Sequence, residues 1–149
     1  MATLNYVNIF ARDIKNLSKF YMDVFDFEEI RAYRSLIFRG IQTGKCAVGF
    51  SAQEAYELLN LKDQAKTKGV KFLLNFEARS MKEVDLLAKR AVRCGATAQK
   101  EPHRTNYNWY QAVLLDPEAD PDENAGRLAH PSGTGRCTPC LHPTTSEKA

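Results

Sequence analysis

At 149 residues, 44% of them hydrophobic, the chain can bury a real core and is expected to form one small domain. Its net charge of +3 splits into +5 over residues 1–116 and −2 over 117–149, too small and scattered an excess for a nucleic-acid partner. Arg31, Arg34 and Arg39 read more readily as a solvated strand face than as the edge of a pocket. No apolar run approaches bilayer length and the N-terminus lacks a signal-peptide pattern, so no membrane association and a cytoplasmic protein with reduced thiols are expected.

The first strand lies over Tyr6 to Ala11, where Val7, Ile9 and Ala11 alternate with Tyr6, Asn8 and Phe10. Asp13 offers a carboxylate to the free amides of a following helix, and Ile14, Leu17, Phe20, Tyr21 and Val24 recur at helical spacing as its apolar stripe. Phe27–Ile30, Ser35–Gly40 and Cys46–Phe50 read as three further strands, Ala52–Leu61 as a short helix, and the polar run Lys62–Gly69 as a linker. Moving 67 residues along, Leu74, Phe76 and Ala78 repeat the strand, Ser80 the cap, and Met81, Val84, Leu87, Ala88 and Ala91 the stripe. Gly95 is placed to end that helix. Ala96–Lys100 and Trp109–Leu115 supply more strands, and an obvious final strand is missing from the second copy.

The strand, capped turn and helix with Phe20-Tyr21-Met22-Asp23-Val24, then Phe27-Glu28-Glu29, resemble the opening module of the vicinal oxygen chelate superfamily. That superfamily includes glyoxalase I, the bleomycin-resistance proteins and the extradiol dioxygenases. Trp109 to Glu118, WYQAVLLDPE, is similar to the strand and Asp-Pro turn that precede its last strand. The resemblance implies an α+β fold of two βαβββ modules, about residues 3–61 and 70–118, whose paired, curved mixed sheets form a cavity. The glyoxalase-like domain would span 1–118 and a flexible, atypical tail 119–149.

Metal-dependent relatives place His, Gln or Glu ligands on the inner strands, leaving coordination positions open for substrate oxygens. The first ligand position corresponds to Tyr6 and its counterpart to Leu73. No Asp, Glu or His occurs from Ile41 to Gln53, where the third is expected, and no inward Glu can be assigned after Asp116-Pro117. A family-type metal centre is therefore not expected, although a divalent ion held by unusual ligands stays open. No other cofactor is implied.

If Val7, Ile9 and Ala11 pack on the helix, Tyr6, Asn8 and Phe10 face the cavity. Asn8 and Asn75 are related by the 67-residue repeat, and each amide can donate and accept hydrogen bonds. Phe38, Tyr107, Trp109 and Tyr110 add aromatic surface. Such a set suits a small organic ligand, and it equally suits a filled barrel-like core. Glu77 shares the inward parity of Asn75 and is the candidate general base; its alternative is a strand end reaching solvent. His103, in the polar stretch Glu101–Asn108, stands either at a pocket mouth or on an exposed loop.

Cys46 and Cys94 fall on expected core positions. Cys137, Cys140, His130 and His142 offer zinc-compatible atoms, but one CxxC in a polar tail more readily reads as a fortuitous cluster. Residues 117–149 hold no Phe, Tyr or Trp and five of the six prolines, so little of this stretch can offset the entropy of ordering. Either Ala125–His130 is a displaced, poor edge strand, or the reading frame changes after about Glu118; the abrupt shift in composition favours the second. Without a closing strand the second sheet would keep an unpaired edge, which strengthens the homodimer that the resemblance implies.

Three functions are compatible with these residues. The first is metal-independent binding or sequestration of a small organic molecule, as in the bleomycin-resistance branch. The second is glyoxalase- or dioxygenase-type catalysis with unusual ligands such as Tyr6, Asn75 and Glu77. The third is a non-catalytic interaction module.

Overall fold

A computed structural model describes residues 2, 4–66, 73–106, 108–118 and 128–133, with the backbone alone for 73 and 128–133. The chain divides into two compact units, Met1–Lys68 and Gly69–Ala149. The first runs β1 (Tyr6–Phe10), α1 (Ile14–Phe25), β2 (Glu28–Glu29), β3 (Phe38–Gln42), β4 (Ala47–Ser51) and the short α2 (Ala55–Leu58). The second runs β5 (Leu73–Glu77), α3 (Met81–Arg93), β6 (Thr97–Arg104), β7 (Tyr110–Leu115) and β8 (Leu128–Gly133). Each unit is thus a βαβββ module, in agreement with the expected α+β class.

In the first unit the sheet order is β1-β4-β3-β2, with β1 and β4 parallel and the other pairs antiparallel. Helix α1 starts where Asp13, in extended conformation, accepts the amide of Asn16 at 3.0 Å. It ends at Asp26, whose φ of 57° leaves the helical region. Ile14, Leu17, Phe20, Tyr21 and Val24 are all buried, as their spacing predicts. They cover the sheet face formed by Ile9, Ile41, Val48 and Phe50, and the Tyr21 and Phe50 rings stack at 5.6 Å. Fully burying one such side chain contributes about 1.5–3 kcal/mol, so this layer is the unit's main source of stability.

Strand β3 begins at Phe38, three residues after the expected Ser35. A 3-10 turn over Arg31–Tyr33 and a hydrogen bond from Ser35 N to Phe38 O at 3.0 Å use the intervening residues for a reversal. The expected helix at 52–61 shortens to Ala55–Leu58, and Lys62–Lys66 of the expected linker forms a 3-10 turn. Cys46 and Cys94 are half-buried rather than core thiols.

The second unit repeats the order as β5-β8-β7-β6. The 67-residue repeat is kept through the helix start: Tyr6 and Leu73 open β1 and β5, and Ile14 and Met81 open α1 and α3. Ser80 caps α3 by accepting from Glu83 N at 3.1 Å, and the Glu83 carboxylate reaches back to the Arg79 amide at 2.5 Å. Val84, Ala88 and Ala91 are buried, whereas Met81 lies exposed at the first turn, where its sulfur accepts from Arg104 Nη2 at 3.1 Å.

Strand β8 pairs parallel with β5 and antiparallel with β7, so it is interior, and the edges are β5 and β6. The expected poor edge strand at Ala125–His130 therefore lies three residues later and inside the sheet, which extends past Glu118. The condition for an unpaired edge left by a missing strand is not met. The rest of the expected tail, including Cys137, Cys140 and His142, lies outside the described residues. Among the described residues no helix is long and apolar enough to cross a membrane.

Candidate functional site

Residues paired across neighbouring strands share a sheet face. On β1 and β4 the pairs Tyr6–Ala47, Asn8–Gly49 and Phe10–Ser51 therefore lie on one side, and on β3 so do Phe38, Gly40 and Gln42. The helix covers the opposite side, so the expected parity of β1 holds. Tyr6 is 42% exposed, Asn8 is exposed, and Phe10 and Phe38 are half-buried.

These side chains make a built arrangement rather than scattered surface. The Phe38 ring lies over Gly49 so closely that a Cβ there would stand 2.6 Å from its Cζ and 2.7 Å from its Cε2. Tyr6 meets Phe38 edge-on, with centroids 6.0 Å apart and planes at 66°. Phe10 stacks on Tyr56 at 3.8 Å and 14°. Asn8 Oδ1 accepts a hydrogen bond from the Ser51 hydroxyl at 2.8 Å and would stand 3.3 Å from a Cβ on Gly49. The ring and the amide thus converge over one glycine from the strands on either side of β4.

Gly49, Ser51 and Tyr56 were not candidates from sequence. Their signal was the small-residue alternation Ala47, Gly49, Ser51, which has meaning only once β4 is set beside β1.

In the second unit, Asn75 and Glu77 lie on edge strand β5, in register with positions 130 and 132 of β8. Position 132 is opposite Gln111, which is opposite His103, so a register line runs across all four strands from Glu77 to His103. The two ends lie on opposite edges, and the line does not bring the carboxylate and imidazole together.

Glu77 and Asn75 are both exposed. His103 belongs to β6 and not to a loop, because two register irregularities carry that strand past Pro102 to Arg104. Its Nδ1 donates to the Glu101 carbonyl at 2.8 Å, a role forced by the carbonyl, which can only accept. Trp109 is buried at the turn between β6 and β7, where Thr105 N donates to Trp109 O at 2.7 Å. Tyr107 lies outside the described residues.

Tyr110 faces α3 instead of adding to the aromatic surface: its hydroxyl donates to Asp85 Oδ1 at 2.7 Å. That bond holds the phenol above its usual pKa. On the helix side of the first sheet, hydrogen bonding from Arg34 holds the Glu29 carboxyl below its usual range.

The donors on the face of the first sheet turned away from α1 are a phenol, two carboxamides and a hydroxyl, with Glu28 at the β2 edge as the carboxylate among the described residues there. A divalent ion is ordinarily held by converging imidazoles and carboxylates, and this set does not fit it. Among the described residues no group of three or more His, Cys, Asp or Glu converges.

The model of the Glyoxalase/Bleomycin resistance protein/Dioxygenase superfamily matches residues 3–126. The chain belongs to that superfamily. A solved glyoxalase/bleomycin resistance protein/dioxygenase family enzyme from Burkholderia phytofirmans PsJN is 49% identical, with a TM-score of 0.83 over 89% of this chain and 99% of its own. The superfamily fold recurs in lactoylglutathione lyase from Agrobacterium tumefaciens, at 18% identity and a TM-score of 0.64 over 91% of this chain and 96% of that one. It also recurs in the fosfomycin resistance protein FosX from Listeria monocytogenes, at 16% identity and a TM-score of 0.64 over 89% and 93%. These two likenesses concern the fold alone. No curated protein matches the chain.

Proposed function

We propose that this superfamily member binds a small organic molecule, without a metal ion, on the face of its first sheet turned away from α1. The observation that carries this reading is the Phe38 ring seated over Gly49 beside the Ser51-bound amide of Asn8. Aromatic surface with a few directed polar groups is the common form of a small-molecule site. Tyr6 and Phe10 extend the surface, and a donor set poor in imidazole and carboxylate supports binding over coordination.

Thermal-shift screening of aromatic compounds tests the reading, because a ligand that binds only the folded state raises the melting temperature. Compounds should stabilise the wild type, with and without a chelator, and should lose that effect in Phe38→Ala. No stabilisation by any compound would leave the non-catalytic interaction module.

One finding favours a second reading: the 49% identical relative is described as a family enzyme. Under it the chain is a lyase or oxidoreductase of glyoxalase or dioxygenase type. A stoichiometric divalent ion that disappears in Glu77→Gln or Tyr6→Phe would establish it in place of the first. A cytoplasmic homodimer completes the proposal, and a monomer in sedimentation across the micromolar range would remove that part.

A further inference from the structure

We propose that Met81 is an oxidation site: a hydroperoxide converts its thioether to the sulfoxide, and Arg104 holds the oxygen that is added. The site lies within the second unit and does not rest on the binding reading above.

Arg104 is aimed by the turn that follows it. Asn108 has a φ of 66°, and Arg104 Nη1 donates to its Oδ1 at 2.9 Å and to its carbonyl at 3.5 Å. The other arm of the guanidinium fork, Nη2, donates to Met81 Sδ at 3.1 Å. A thioether is a weak acceptor, whereas a guanidinium is ordinarily met by a carboxylate or phosphate oxygen. Among the described residues no carboxylate pairs with Arg104.

The same strand pair holds α3 one turn further on. Tyr110, the register partner of Arg104, donates from its hydroxyl to Asp85 Oδ1 at 2.7 Å. Met81 and Asp85 on the helix thus meet Arg104 and Tyr110 on the strands, and the Met81 contact is the weaker of the two.

Met81 is open to an oxidant. It is the first residue of α3 and 39% exposed, whereas Met22 is half-buried. Arg104 engages one sulfur lone pair, and the second can attack the terminal oxygen of a hydroperoxide. The S–O bond forms as the O–O bond breaks; sulfur is oxidised by two electrons, and the proton on the transferred oxygen passes to the departing one, which leaves as water or an alcohol. The product's oxygen makes a charge-assisted hydrogen bond with the guanidinium, which the thioether makes only weakly. Oxidation therefore tightens this contact, the reverse of its usual effect in a core.

The test treats the full chain with hydrogen peroxide and maps the products by mass spectrometry. Sulfoxide should accumulate at Met81 before Met22, and the reverse order overturns the site. Met81→Leu treated in the same way corrects for oxidation at cysteines and elsewhere. Against that control, oxidation should raise the melting temperature of the wild type by about 2–4 °C, the shift expected of one strengthened hydrogen bond in a chain of this size. Methionine sulfoxide reductases should remove the rise.

In Arg104→Gln the rise should vanish. Asn108→Gly suits the positive φ, frees the fork from the side-chain oxygen and should diminish the rise; it decides the matter if Arg104→Gln does not fold. No rise in the wild type, or a rise that these variants leave unchanged, overturns the inference.

Discussion

Asn8 and Ser51 are 43 residues apart in sequence and are joined by a 2.8 Å hydrogen bond on the side of the first sheet turned away from α1. The bond exists because β1 and β4 lie parallel with Asn8 two residues short of Phe10, the register partner of Ser51. Local patterning sets which face each residue occupies, and strand pairing sets which residues meet there.

Gly49→Ala should displace the Phe38 ring, because a Cβ would stand 2.6 Å from it. Phe38 is half-buried and its ring end can swing, so the cost should fall toward the low end of the roughly 1–3 kcal/mol typical of overpacking. Urea denaturation measures that cost. A loss of Tyr6–Phe38 cross-peaks in the NMR spectrum would accompany it, and unchanged cross-peaks would refute the packing.

The helix caps carry a second prediction. Asp13→Ala removes the acceptor for Asn16 N, and Ser80→Ala the acceptor for Glu83 N. Each should lower stability by about 1 kcal/mol, with little change in the native circular-dichroism spectrum. The two effects should add, because the caps open different helices in different units.

Acid should destabilise the protein through two carboxylates. Hydrogen bonding from Arg34 holds Glu29 below its ordinary value of 4.5, and hydrogen bonding from Arg79 does the same for Glu83. A carboxyl whose folded pKa is depressed contributes stability that is present above the unfolded pKa and lost as pH falls through the folded one. Urea midpoints should therefore hold steady down to about pH 5 and then fall. Glu83→Gln should flatten part of that fall; a slope identical to wild type would show that Glu83 does not contribute.

Truncation isolates the contribution of strand β8. A chain ending at Gly133 keeps β8 between β5 and β7, and should fold like the full chain. A chain ending at Glu118 leaves both neighbours without their partner and should lose cooperative unfolding of the second unit. Equal stability of the two would mean that β8 adds nothing to the sheet.

Much of the architecture was legible because two periodicities are local. Alternation placed Tyr6, Asn8 and Phe10 opposite Ile9 and Ala11, and three-and-four spacing placed Ile14, Leu17, Phe20, Tyr21 and Val24 in the core. Strand β8 was not legible. Pro131 lacks an amide hydrogen and Gly133 has no side chain to pack, which argues against an interior strand, yet pairing with β5 and β7 sets it there. Met81 follows the helical stripe but is the first residue of α3 and lies exposed.

By itself, the sequence determined the repeated strand and capped helix that open each module and the apolar stripe of each helix, since these depend on residues within a few positions of one another. Only the tertiary structure decided that Phe38 rests on Gly49, that Ser51 bonds to the amide of Asn8, and that Glu77 and His103 stand on opposite edges of one sheet. Those relations depend on strand order and register, which are settled by long-range pairing and leave no periodic trace along the chain.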